Sequence, residues 1–69
     1  MTEIPATVGE YLRKTREARS ISLEQVAQVT RVRLPYLIAI ENDEPSGLPS
    51  AVQARGFLRL YASFLDIPA

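Results

Sequence analysis

The stretch SLEQVAQVTRVRLPYLIAIE, residues 22–41, decides the fold of this chain. Its first four residues, Ser22 to Gln25, form a capping box: the serine hydroxyl accepts from a free amide in the first helical turn, and the glutamine side chain reaches back to the serine amide. The helix opened there turns Leu23, Val26 and Ala27 to one side and runs through Val29. Residues 30–33 make a compact turn, and a second helix over 34–42 directs Leu37 and Ile40 inward. Two helices of about two turns each, joined by three or four residues, have the dimensions of a helix-turn-helix. The outward side of the second helix would face DNA in such a motif, and here it reads Leu34, Pro35, Tyr36, Ile38 and Ala39.

Working outward, residues 1–6 read as a loose arm. Thr7 and Glu10 make a second capping box that starts a helix ending near Arg19, with Val8, Leu12 and Thr15 recurring at helical spacing on its inner side and Ala18 close to them. Ser20 and Ile21 turn the chain, and Ile21 packs at the entry to the next helix beside Leu23. Residues 43–49 hold two prolines and a glycine and predict a loop anchored by Leu48. Ser50 caps a last segment that reaches Asp66, and Pro68 forbids extension; Gly56 leaves it open whether this is one helix or two. The domain is thus expected over residues 7–67, with a tail at 68–69. Five short helical segments and no strand follow. Their core is expected to be Val8, Leu12, Val26, Ala27, Val32, Leu37, Ile40, Leu48, Leu58, Ala62 and Leu65.

Sixty-nine residues suffice for one domain with a small stability margin. The eight basic and eight acidic residues cancel, where a dedicated nucleic-acid binder of this size more often carries a positive excess. With no cysteine and no histidine, disulfides, thiol chemistry and ordinary zinc sites are excluded. There is no glycine-rich phosphate loop, and no carboxylate pair in an apolar setting, so neither a catalytic residue nor a cofactor or small-molecule substrate is expected. Glu41, Asp43 and Glu44 lack the ligand spacing of a calcium loop and read as a solvated helix end. No run approaches the ~20 apolar residues of a membrane span, and the first residues do not form a signal peptide.

Three groups of residues remain for binding or bracing. Arg16 and Glu41 lie at the borders of their helices' inner faces, as either a partly buried structural pair or a solvated ion pair. Gln25, Gln28, Arg31 and Arg33 stand where a helix-turn-helix meets phosphates, with Leu34 and Tyr36 able only to touch thymine methyls; these support at most weak DNA binding. The last segment carries more apolar surface than one core needs. Leu58, Tyr61, Ala62 and Leu65 form a stripe that Phe57, Leu60 and Phe64 widen, giving either a crowded core or a docking surface centred on Phe57.

The opening TVGEYLRKTREAR, residues 7–19, followed by SLEQVA at 22–27, resembles the Xre/Cro-type (lambda-repressor-like) helix-turn-helix, an all-α fold of five helices. More specifically, ARGFLR at 54–59, continued by Tyr61 and Ala62, resembles the signature of the cytoplasmic domain of the RodZ cell-shape protein family, over about residues 8–67. That resemblance implies a cytoplasmic domain at the inner face of the membrane, whose native chain continues into a basic linker, a membrane-spanning helix and a periplasmic domain. It implies docking to the actin-like filament protein MreB through aromatic residues of the fourth helical segment. One contact aromatic of the family corresponds to Phe57; the other, one turn earlier, corresponds here to Gln53, with Tyr61 placed to compensate. The resemblance also makes Arg16 and Glu41 the structural pair of the repressor fold. Filament docking is the leading expectation, and DNA binding as an Xre-type regulator is the alternative.

Overall fold

The computed structural model describes residues 7–66. The expected arm at residues 1–6, the domain end at Ile67 and the tail at 68–69 lie outside that span. Among the described residues there are four α-helices: α1 Val8–Ala18, α2 Leu23–Thr30, α3 Leu34–Glu41 and α4 Ala51–Phe64. Pro45–Gly47 adds one 3-10 turn. No strand occurs among the described residues. The architecture is an all-α bundle of the Cro/lambda-repressor-like helix-turn-helix fold. The 3-10 turn lies in the stretch expected to be a loop, and it rather than a break at Gly56 makes the count of helical segments five, because α4 runs unbroken through Gly56.

Local chemistry sets each helix start. Ser22 accepts from the Gln25 amide at 3.1 Å while Gln25 Oε1 accepts from the Ser22 amide at 2.8 Å, completing the capping box of α2. Thr7 and Ser50 cap α1 and α4 by accepting from the Glu10 and Gln53 amides, both at 3.1 Å. Each turn satisfies an amide that would otherwise lack an intrahelical partner. The helix exits share a different trait. Ser20, Arg31, Asp43 and Asp66, which follow α1, α2, α3 and α4, all take left-handed backbone with φ between 54° and 65°, and none is glycine.

The core is Leu12, Val26, Val32, Leu37, Ile40, Tyr61 and Leu65, with Ile21, Leu23, Ala27, Leu48, Leu58, Ala62 and Phe64 packed around it at partial burial. Two expected placements are corrected. Val8 is 58% exposed, because the inner line of α1 is Gly9, Leu12 and Arg16, one position over from the expected stripe. Gly9 sets that rotation: a Cβ there would lie 2.3 Å from the Ile40 carbonyl oxygen, so α1 crosses the end of α3 at backbone contact. Ala39, expected on the outer side of α3, is buried and faces the 3-10 turn, where a side chain at Gly47 would come within 2.9 Å of its methyl.

Candidate nucleic-acid interface and its buried brace

Three residues, 31–33, separate α2 from α3. Val32 points into the core, and this lifts Arg31 and Arg33 on either side of it into solvent. Arg31 does so in left-handed backbone (φ 65°, ψ 14°), its amide donating to the Ala27 carbonyl. Arg33 is the N-cap residue of α3, and no side chain caps that helix. Gln25 and Gln28 are exposed on α2, the former with its amide oxygen committed to the capping box. Along α3, Leu34 and Tyr36 are half-buried and Pro35 and Ile38 exposed, so the outward surface beyond the arginines is apolar.

Tyr36 does not stand alone there. Its ring stacks on Phe57 of α4, with centroids 5.3 Å apart and planes inclined by 13°. The residue expected at the centre of a docking surface and one expected to face DNA thus form a single aromatic pair, and the surface beside the turn continues from α3 onto α4. Gln53, one turn before Phe57, is exposed, and its amide is engaged by Ser50. Tyr61 is a correction: it is fully buried and has no surface to offer a partner.

The Tyr61 hydroxyl instead donates to Glu41 Oε2. Arg16 grips the same carboxylate with both nitrogens of its fork, Nε to Oε2 at 2.8 Å and Nη2 to Oε1 at 3.2 Å, while Nη1 donates to the Ile21 carbonyl at 2.9 Å. This brace joins α1, α3, α4 and the turn before α2. The Glu41 hydrogen bond raises the Arg16 guanidinium above its ordinary value, against the lowering effect of burial. Burial first, and then the hydrogen bond to Glu41, push the Tyr61 hydroxyl well above the usual tyrosine range. The phenol is therefore a permanent donor at any physiological pH. A second tie, not anticipated from the sequence, runs through Asp43. Its carboxylate accepts from the Thr7 hydroxyl and, at 3.1 Å, from the Gly9 amide, fastening the exit of α3 to the start of α1. An aspartate just beyond a helix, 34 residues from the amide it caps, leaves no local signature.

Among the described residues, no group of three or more acidic side chains is placed to hold a metal, and no helix is long and apolar enough to cross a membrane. A helix-turn-helix domain family matches residues 11–69, and the chain belongs to that family. Within it, the fold and the sequence relate the domain to RodZ- and YmfM-type proteins.

The chain is 39% identical over 61 residues to the cytoskeleton protein RodZ of Streptococcus pneumoniae, a match covering 88% of this chain and 22% of that protein. It is 41% identical over 69 residues to an uncharacterized protein of Haemophilus influenzae, covering 97% of this chain and 22% of that one. The chain thus spans about a fifth of the length of these curated relatives. Among solved structures, YmfM of Staphylococcus aureus, described as a candidate DNA-binding membrane protein, matches with a TM-score of 0.84 at 39% identity, over 88% of this chain and 74% of that one.

Proposed function

We propose that this domain binds double-stranded DNA through the α2–α3 turn, holding phosphates with little selection among base sequences, as the cytoplasmic part of a longer membrane-associated protein. Arg31 carries the reading. Left-handed backbone costs an ordinary side chain roughly 1–2 kcal/mol, which glycine avoids. Aspartate tolerates the region through its short polar side chain, but arginine has no such compensation. A strained residue is reason to look for a role, and this one points a guanidinium into solvent beside Arg33 and the uncapped start of α3. Two cations side by side suit phosphate oxygens, although Pro35 has no N–H and the Tyr36 amide already donates to the Arg33 carbonyl, so the arginines rather than the helix start supply the contact. The outer side of α3 holds no arginine, asparagine or glutamine before Asn42 to read bases, so affinity outweighs specificity. The helix-turn-helix family match and the description of YmfM support the same reading.

A second reading rests on the Tyr36–Phe57 stack. With Ile38 and Leu60 each nearly half exposed, it gives an apolar surface suited to an actin-like filament such as MreB, in keeping with the name of the RodZ relative. One set of titrations separates the two, using random-sequence duplex DNA and the cognate filament, with wild type, Arg31→Gly, Arg33→Ala and Ile38→Ser. DNA affinity is expected to fall steeply with salt, and each arginine variant to reduce the slope of log K against log salt by about 1. Arg31→Gly is the sharper probe, because it relieves the backbone and leaves the domain at least as stable while weakening DNA. Absence of DNA binding by wild type at ~50 mM salt, with filament binding lost in Ile38→Ser, would make docking the function.

A further inference from the structure

We infer that Thr30 is the positioning residue of the α2–α3 turn: its hydroxyl holds Arg31 in left-handed backbone and so aims the guanidinium outward. A comparison of the helix exits shows what the hydroxyl is for. After α1 and after α3, the residue beyond the left-handed one donates back into its helix, Ile21 to the Arg16 carbonyl at 3.2 Å and Glu44 to the Ala39 carbonyl at 2.9 Å. Such a backbone bond closes a helix end whatever side chains it carries. After α2 the equivalent acceptor, the Ala27 carbonyl, is taken by the Arg31 amide itself at 2.9 Å. That leaves the amide of the buried Val32 in need of another acceptor.

Thr30 supplies it. Its Oγ1 accepts from the Val32 amide at 3.2 Å and donates to the Val26 carbonyl at 2.7 Å, two roles that one hydroxyl fills together. Arg31 is clasped on both sides: its own amide by the backbone of α2, the next amide by Thr30. Strained backbone persists only where its surroundings over-determine it, and at this exit one of the two restraints is a side chain. Without the hydroxyl, the Val32 amide must turn toward a new acceptor, and Arg31 gains by leaving the left-handed region as it does so. The guanidinium then departs from its place beside Arg33. The consequence for phosphate binding rests on the DNA reading; the restraint on Arg31 does not.

Three variants test it: Thr30→Val, which keeps the shape and removes the hydroxyl; Thr30→Ser, which keeps the hydroxyl; and Thr30→Val combined with Arg31→Gly. Nuclear magnetic resonance reads the backbone, because the contact between an amide proton and its own Hα proton is strongest at positive φ. In Thr30→Val that contact should weaken at Arg31, and exchange of the Val32 amide should quicken roughly tenfold. Thr30→Ser should match the wild type in both. In titrations with random-sequence duplex DNA, Thr30→Val should lower the slope of log K against log salt by about 1, and should lower it no further in the Arg31→Gly background. An Arg31 that stays left-handed in Thr30→Val overturns the inference. So does a loss that Thr30→Ser shares, or a change of slope that persists in the Arg31→Gly background. Should Thr30→Val unfold the domain, adding Arg31→Gly must restore folding, since glycine takes left-handed backbone without help; failure to restore it is equally fatal. A wild type with no salt-dependent DNA affinity removes the DNA reading alone, and Thr30 is then decided by the proton contact at Arg31.

Discussion

Glu41 is one of the few charged side chains a domain this small draws into its interior, and its oxygens are answered by Arg16 and Tyr61 together. Removing one partner leaves the other charge buried, at a cost well above the ~0–1 kcal/mol of a surface pair. Arg16→Ala is therefore expected to lower stability by about 3 kcal/mol or more, and a double-mutant cycle with Glu41→Gln to show clear coupling. Coupling near zero in urea unfolding would return both to the solvated class. Tyr61 gives a pH signature. Its folded-state value is raised above the ordinary 10, so the folded state holds the proton longer than the unfolded one. The stabilisation is complete below pH 10 and is lost as pH climbs beyond it. Denaturation midpoints should fall above that pH in the wild type and fall less in Tyr61→Phe; equal alkaline slopes would count against the brace. The arginine and the glutamate were legible from their positions at helix borders. The tyrosine was not, because a phenol in an apolar stripe reads equally well as a surface anchor or a core member, and its acceptor lies 20 residues away in sequence.

At the scale of the helix, two glycines make opposite demands. Gly9→Ala gains about 1 kcal/mol of helix propensity, yet its methyl would sit 2.3 Å from one carbonyl oxygen and 2.7 Å from the next, both backbone atoms. Such overpacking typically costs 1–3 kcal/mol, occasionally more, and with backbone on both sides the clash wins. Gly56 has nothing within 4 Å of a built Cβ and lies inside α4, so Gly56→Ala is expected to stabilise by about 0.5–1 kcal/mol. Thermal melts of the two variants should move in opposite directions; a stabilising Gly9→Ala would mean that α1 crosses α3 elsewhere. Helix boundaries came through from the sequence because Ser22, Thr7 and Ser50 act locally. The rotation of α1 did not: Val8, Leu12 and Thr15 trace a plausible stripe, and only the crossing at Gly9 shows that the true one is displaced.

For the whole molecule, the decisive quantity is how much stability there is to lose. A chain of this length has about 3–10 kcal/mol in all. Leu37 is completely enclosed at the centre of α3, so Leu37→Ala is expected to cost about 2–5 kcal/mol and to leave much of the population unfolded. Chemical denaturation decides this, and a loss under about 1 kcal/mol would show that α3 is not seated as described. The all-α class and most of the core were readable because hydrophobic periodicity is a property of the chain alone. Which surfaces join was not readable. Phe57 and Tyr36 are 21 positions apart, on helices whose relative placement only packing defines, and their stack merges two faces that the sequence kept separate.

The left-handed helix exits bear on how this domain can evolve. At Ser20, and with less to gain at Asp66 because aspartate tolerates the region, the backbone already adopts the conformation that glycine favours, so a more robust chain lies one or two substitutions away at positions outside the α2–α3 turn. The present sequence therefore sits below the tolerance its own backbone would permit. Lineages that adopted those glycines could accept otherwise unaffordable substitutions on α3 and so acquire base-reading side chains without losing the fold. Lineages that did not would be held to conservative change there, and the same scaffold would diverge in recognition according to residues that never touch the partner.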